Sequence, residues 1–265
     1  MSAGEPAGPA PGGTGSTRSR TGTGTNREHA LLWNRRRDSI AALIVTLVTI
    51  VLLVLMALRN RIPAIQRLDD RWLKLMLDTR DGPLTAIAKV FNVLGLVYVT
   101  LPIRLAVAGY LAWKRRWWHV TAFVSAMVVS ELLIGPVKSL YDRPRPPLAD
   151  ALVHTTGASL PSGHAVAASV TTVAIVIALF PDGPRRFWWG VGAAAFSFVM
   201  ALSRAYLAAH WLTDAMVGTL LGVSVAVDCA LVVQEIWDAR ARRGATRPPA
   251  PPAGHAVDGT PGPDG

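Results

Sequence analysis

Half of this 265-residue chain is apolar, yet three short polar runs gather groups that can do chemistry. They are Lys138-Ser-Leu-Tyr-Asp-Arg-Pro-Arg145-Pro146, Pro161-Ser-Gly-His164, and Ser203-Arg204 followed by His210 and Asp214. In the first, Arg145 offers a planar fork matched to two phosphate oxygens and Lys138 a compact charge. Pro144, Pro146 and Pro147 stop a helix from continuing through it. In the second, Ser162 can cap a helix that begins near Gly163, whose free N–H groups and positive dipole end suit an anion. Gly163 permits close backbone approach, and His164 in the first turn faces whatever those N–H groups hold.

The third run says most. If a helix begins by His210, Asp214 lies four residues on, on the same face, and can bond one imidazole nitrogen. That fixes the tautomer and leaves the other nitrogen free to attack, the logic of an activated nucleophile with an orienting carboxylate. Arg204 ends the preceding apolar block on the same side. Singly, the first two runs also read as a basic juxtamembrane loop and as a structural turn carrying a histidine. A metal site of His164, His210 and Asp214 is a further alternative, opposed by Lys138, Arg145 and Arg204, whose charge repels a divalent ion.

The elements that must position these groups are long apolar blocks. The mean hydropathy is +0.34, which fits a helical membrane protein better than a soluble globule. Ser39–Leu58 has no charge and no proline, and at about 1.5 Å per residue it spans roughly the 30 Å of a bilayer core. Gly95–Trp113, Trp117–Val137, Ala165–Phe180, Phe187–Ala201 and Trp211 to about Val233 read similarly, so the expected fold class is an all-α membrane bundle of about six spans. Joining Leu84–Val93 to the second block would make a helix too long for one crossing. An interfacial helix is expected there instead, with a break near Asn92-Val-Leu-Gly95. Ile62–Leu77 carries Ile65, Leu68, Trp72, Leu75 and Met76 at helical spacing, a stripe suited to the bilayer surface or to packing on the bundle.

A net charge of +10 could serve nucleic acid, but the arginines form no dense stripe with interleaved aromatics. They flank the spans. Arg35-Arg36-Arg37, Lys114-Arg115-Arg116, Arg185-Arg186, and Arg240, Arg242, Arg243 and Arg247 all fall on one side of a six-span arrangement, which makes that side cytoplasmic. Residues 59–94 carry seven cations on the other side and oppose this orientation. The first block is longer than a signal-peptide core and lacks an A-x-A cleavage pattern, so it reads as an uncleaved membrane anchor. Cys229 is the single cysteine and excludes an intrachain disulfide. Residues 1–33 and 239–265, rich in Gly, Pro and Ala, are expected to be disordered cytoplasmic tails around a membrane domain over 34–238.

Together, in order and on one side of the membrane, the three runs resemble the signature of the type-2 phosphatidic acid phosphatase superfamily, which also includes vanadium haloperoxidases. The resemblance covers about residues 95–235. It implies that His210 attacks phosphorus to give a phosphohistidine, that Asp214 orients it, and that His164 protonates the leaving oxygen. Lys138, Arg145, Arg204, Ser162 and the N–H of Gly163 would hold the phosphoryl oxygens, with no metal or other cofactor. The implied substrate is a membrane lipid phosphomonoester or diphosphate, such as phosphatidic acid, phosphatidylglycerol phosphate or a polyprenyl diphosphate, met at the outer face of the cell membrane. A phosphotransferase sharing the phosphoenzyme, a haloperoxidase, and a non-catalytic lipid-binding or transport protein are the rival readings. Outside the signature, Glu131 is expected to pair with Arg104 within the membrane, His119 to lie at the interface, and His154 to sit in the loop before the second run.

Overall fold

The computed structural model describes residue 31 and residues 35–245. Among these the chain forms eight α-helices and no strand: α1 Arg35–Ala57, α2 Pro63–Asp78, α3 Gly82–Leu94, α4 Val97–Trp113, α5 Trp117–Tyr141, α6 Gly163–Leu179, α7 Pro184–Tyr206 and α8 Leu212–Ala245. Each of the six apolar blocks becomes a helix. By length and composition α1, α5 and α8 can cross a membrane alone, while α3 and α4 form a broken pair bent by 52°. α6 is apolar but has only 17 residues, and α7 carries Arg185, Arg186 and Arg204 within its 23 residues. The protein is therefore a membrane-embedded helical bundle.

Sequence chemistry sets the ends. Pro63 and Pro184 sit in the first turns of α2 and α7, where a missing N–H is harmless. The Asp81 side chain caps α3 by accepting from Leu84 N at 2.7 Å. The break expected at Asn92-Val-Leu-Gly95 is the α3–α4 elbow.

The centre is α6 against α8, flanked by α5 and α7. Small residues allow the close approach: a Cβ on Gly222 would lie 2.1 Å from Ser169 Oγ and 2.7 Å from the Val166 carbonyl, and one on Gly218 would lie 2.8 Å from the Ser162 carbonyl. Gly218 and Gly222 are four apart, the spacing by which helices in lipid bring their backbones together. Leu111, Phe123, Val166, Val170, Leu221 and Val225 fill the core around this seam. α1 closes on α8 through Ala42, Thr49 and Met56, all buried. Polar bonds mark the same face, with Thr46 Oγ1 donating to Asp228 at 2.9 Å and Thr49 and Ser224 hydroxyls 2.9 Å apart. The intramembrane pair is present: Arg104 Nη1 lies 2.8 Å from Glu131, and Arg104 Nε donates to Thr171 at 2.9 Å.

Two details differ from expectation, and His119, expected at the interface, is buried within the bundle. α8 continues to Ala245, seven residues into the expected tail. Leu31, also assigned to a tail, is buried, its N–H donating to Gln234 at 2.9 Å and its carbonyl accepting from Arg186 at 2.7 Å. The rest of the expected tails, 1–30, 32–34 and 246–265, lies outside the described residues.

Candidate active site

The three runs converge where the end of α5, the start of α6, the end of α7 and the start of α8 meet. His210 lies two residues before α8, in the turn that leaves α7, and is 4% exposed. Ala208 takes φ 51° in that turn, a left-handed conformation that an alanine rarely adopts. The strain is held by Ala209 and His210 N–H groups both donating to the Arg204 carbonyl.

His210 Nδ1 is 2.7 Å from the Ser159 carbonyl. A carbonyl only accepts, so Nδ1 carries the proton and Nε2 holds the free lone pair. Arg145 Nη1 donates to that Nε2 at 3.2 Å. Burial first, then the charges of Arg145, Arg204 and Lys138, holds the His210 pKa well below the usual 6.5. The imidazole is neutral and its free nitrogen faces cations.

Asp214 does not bond the imidazole. α8 begins at Leu212, after His210, so the expected four-residue helical spacing is not formed. Instead Asp214 Oδ2 accepts from Ser159 Oγ at 2.5 Å and from Trp211 N at 3.2 Å. The second contact is half of a capping box, with Asp214 at the third helical position reaching back to the residue before the helix. Ser159 thus joins the carboxylate to the histidine: its hydroxyl donates to Asp214 and its carbonyl accepts from His210.

Behind this pair lies a network of which the sequence reading used only Asp214. Arg143 is 2% exposed; its Nη1 donates to Asp214 Oδ1 at 2.6 Å and its Nη2 to Asp69 Oδ2 at 2.6 Å. Asp69, from α2, is 0% exposed and also accepts from Thr213 N at 3.0 Å and Thr213 Oγ1 at 2.6 Å. A signal existed: Asp69 sits between Ile65, Leu68 and Trp72 on the apolar stripe of α2, where a solvated acid has no place.

The cations are held by backbone. Arg145 donates to the carbonyls of Gly157 at 2.9 Å, Thr156 at 2.8 Å and Ala209 at 2.5 Å. Lys138 Nζ donates to the Ala158 carbonyl at 2.8 Å. Gly157 has φ +67°, the conformation glycine adopts without penalty, and this turns adjacent carbonyls of the 156–158 segment onto both cations. Burial lowers the Arg145 pKa, against the opposing charge of Asp214. Arg204 is 3% exposed, and its Nη1 donates to the Asn92 side chain. His164 donates through Nε2 to the Asn92 carbonyl at 3.1 Å. Ser162 Oγ and Arg204 Nε are buried without a hydrogen-bond partner. Buried polar atoms are normally paired, so both have capacity for an oxygen-rich ligand. Gly163 opens α6 beside them, with first-turn N–H groups available. Among the described residues no three His, Cys, Asp or Glu side chains gather as a metal site. His154 is exposed in the loop.

The PAP2 superfamily profile matches residues 119–238. Over this stretch the chain matches the PAP2 superfamily, the one the three runs resemble. Phosphatidylglycerophosphatase B of Bacillus subtilis (strain 168) is 26% identical over 164 residues, covering 60% of this chain and 80% of that protein. The crystal structure of the first transmembrane PAP2 type phosphatidylglycerolphosphate phosphatase from Bacillus subtilis superposes with a TM-score of 0.63 at 22% identity, over 75% of this chain and 96% of that one. That likeness establishes the fold. All eight site residues expected from sequence fall inside the PAP2 stretch, whereas Asp69 and Asn92 lie before it.

Proposed function

We propose that this protein is an integral membrane hydrolase that removes phosphate from a lipid phosphomonoester or diphosphate through a phosphohistidine on His210, without a metal ion. One observation carries the reading: a buried neutral imidazole whose free Nε2 meets Arg145 and which also feels the charges of Arg204 and Lys138. Charge counting favours a phosphate. Asp69, Arg143 and Asp214 form a buried cluster with one net negative charge, and the three cations leave the neighbourhood with two positive charges, the complement of a phosphate dianion.

The mechanism follows from the atoms present. Arg145 leaves Nε2 to take phosphoryl oxygens, joined by Lys138, Arg204, Ser162 Oγ and the N–H of Gly163. Nε2 then forms a bond to phosphorus as the bond to the lipid oxygen breaks, and His164 supplies the proton to that oxygen. Positive charge building on the imidazole is stabilised by the Ser159 carbonyl at Nδ1, which Asp214 reinforces through the Ser159 hydroxyl. Water activated by His164 attacks the phosphohistidine and releases inorganic phosphate, restoring His210. Positioning and charge stabilisation do most of the work in such a transfer. Apolar helices around a cationic pocket suit a substrate whose tail stays in lipid, and the named activity of the Bacillus subtilis relative makes phosphatidylglycerol phosphate the first substrate to try. The outer face of the cell membrane is the expected setting, by the arginine clusters of the cytoplasmic side.

The test is phosphate release by purified protein in detergent, with chelator present, from phosphatidic acid, phosphatidylglycerol phosphate and a polyprenyl diphosphate. Wild type should hydrolyse at least one of them, and an acid-labile phosphoenzyme should be trapped that His210→Ala cannot form. Full activity in His210→Ala, or activity abolished by chelator and restored by a divalent metal, would overturn the mechanism.

A further inference from the structure

The α3–α4 elbow touches the site twice, and neither contact belongs to the three polar runs. Asn92 sits in the last turn of α3, where carbonyls have no partner within the helix. Its carbonyl accepts from His164 Nε2 at 3.1 Å, and its side-chain oxygen accepts from Arg204. Three residues on, a Cβ on Gly95 would lie 2.3 Å from His164 Cδ2 and 2.9 Å from Cγ. Only a residue without a side chain lets the imidazole lie there. The elbow itself is pinned: the Phe91 ring lies 5.4 Å from that of Phe196 on α7. One turn back, Ala88 packs with Tyr206, Leu207 and Ala209.

We propose that Asn92 is a positioning residue of this site, its main-chain carbonyl orienting His164 and its amide oxygen orienting Arg204, with Gly95 as the gap that admits the imidazole. This rests on the reading of His164 as the proton donor and Arg204 as a phosphate ligand. The carbonyl fixes the neutral His164 tautomer, because Nε2 must carry the proton that it donates. As the C-terminal end of α3 it also presents the negative end of a helix dipole, which opposes the burial and the charges of Arg204 and Arg145 that bring the His164 pKa down to about 4. The amide oxygen holds a planar guanidinium whose Nε has no other partner, so that Nε stays available for a phosphate oxygen. One residue thereby sets the distance between the proton donor on α6 and the cation on α7.

The two arms separate by experiment. Asn92→Ala keeps the carbonyl and removes only the hold on Arg204. It should weaken binding of inorganic phosphate, measured calorimetrically on the purified full-length protein, by about tenfold, the direction that Arg204→Ala sets. Gly95→Ala displaces His164. It should slow hydrolysis of an alkyl phosphate, a poor leaving group that needs a proton, by on the order of 100-fold, and slow p-nitrophenyl phosphate, which needs none, less than fivefold. His164→Ala should show the same selectivity.

If Arg204→Ala weakens phosphate and Asn92→Ala does not, the positioning role is overturned. It is equally overturned if His164→Ala is selective for the leaving group while a folded Gly95→Ala slows both substrates alike. If instead Arg204→Ala leaves phosphate binding intact and His164→Ala lacks selectivity, the roles of those two residues fail first, and the inference falls with them. Monodisperse elution and wild-type tryptophan emission certify each variant as folded; should Gly95→Ala fail that check, the Asn92→Ala arm decides.

Discussion

Arg143 offers the sharpest test of how the site is held together. It is the shared cation between Asp69 and Asp214, both 0% exposed, each reached at 2.6 Å. Arg143→Met keeps much of the stem volume and removes the charge, leaving two buried carboxylates facing one another. Breaking a buried pair by removing one partner costs about 3–5 kcal/mol, because an uncompensated charge stays behind. Here two carboxylates are stranded, although Thr213 still donates to Asp69 and Ser159 and Trp211 still donate to Asp214. The expected loss is therefore at the upper end of that range, about 5 kcal/mol.

Asp69→Asn strands nothing. Arg143 keeps Asp214, and the loss should be about 1–3 kcal/mol from imperfect hydrogen bonding. In the double variant Asp214 is the one stranded charge, so the two losses should fall short of additivity by about 1–3 kcal/mol. The assay is reversible unfolding in mixed micelles with increasing sodium dodecyl sulfate, followed by the emission of the nine tryptophans. A loss below about 1 kcal/mol in Arg143→Met, the size of a surface pair, or additivity within about 0.5 kcal/mol, would refute the account of a shared buried cation.

The other expectations can be checked on the same preparations. Ser159→Ala removes the hydroxyl between Asp214 and the His210 loop, so kcat should fall on the order of 10–100-fold with KM nearly unchanged; wild-type turnover would show that Asp214 acts by another route. His210 stays neutral in the folded protein but takes a proton near pH 6.5 when unfolded. The unfolded chain then binds more protons, so this contribution is fully present above about pH 6.5 and is lost as pH falls below it. His210→Gln should accordingly lose less stability than wild type between pH 7 and 5, and parallel curves would contradict the assignment. Gly222→Ala forces a methyl against Ser169 Oγ and the Val166 carbonyl and should destabilise by about 1–3 kcal/mol; a neutral result would mean that α6 and α8 can separate without loss.

Sequence reached far in this chain because lipid imposes simple rules and histidines, carboxylates and cations gathered together beside apolar blocks stand out. The apolar blocks became helices, and the three polar runs came together at one end of the bundle. What it could not see has a physical pattern. α1 is apolar all round, so only Thr46 and Thr49 betray which face meets α8. The partner of Asp214 could not be read from spacing, because His210 lies before the helix and Ser159 supplies the Nδ1 acceptor from a loop. Ser159 and Asn92 act partly through main-chain carbonyls, which every residue type possesses, so their side chains advertise nothing. Asp69 was visible as an acid on an apolar stripe, and its surrounding charges drew attention instead to the bilayer surface.

The recognised PAP2 stretch, residues 119–238, is not a self-contained site. It holds His210, His164 and the cations Lys138, Arg145 and Arg204, but it lacks groups on which four of its buried donors depend. Without α2, Arg143 keeps Asp214 as its only carboxylate and its Nη2 loses Asp69, while the Thr213 N–H loses its acceptor. Without the elbow, His164 Nε2 and Arg204 Nη1 both lose Asn92. A buried donor left without an acceptor costs about 1–3 kcal/mol, more when it is charged, so these losses compound within one cavity. The helices before residue 119 are therefore more than a membrane anchor: they complete the hydrogen-bonded frame that pairs Arg143 and Thr213 with Asp69 and holds Arg204 and His164 on Asn92.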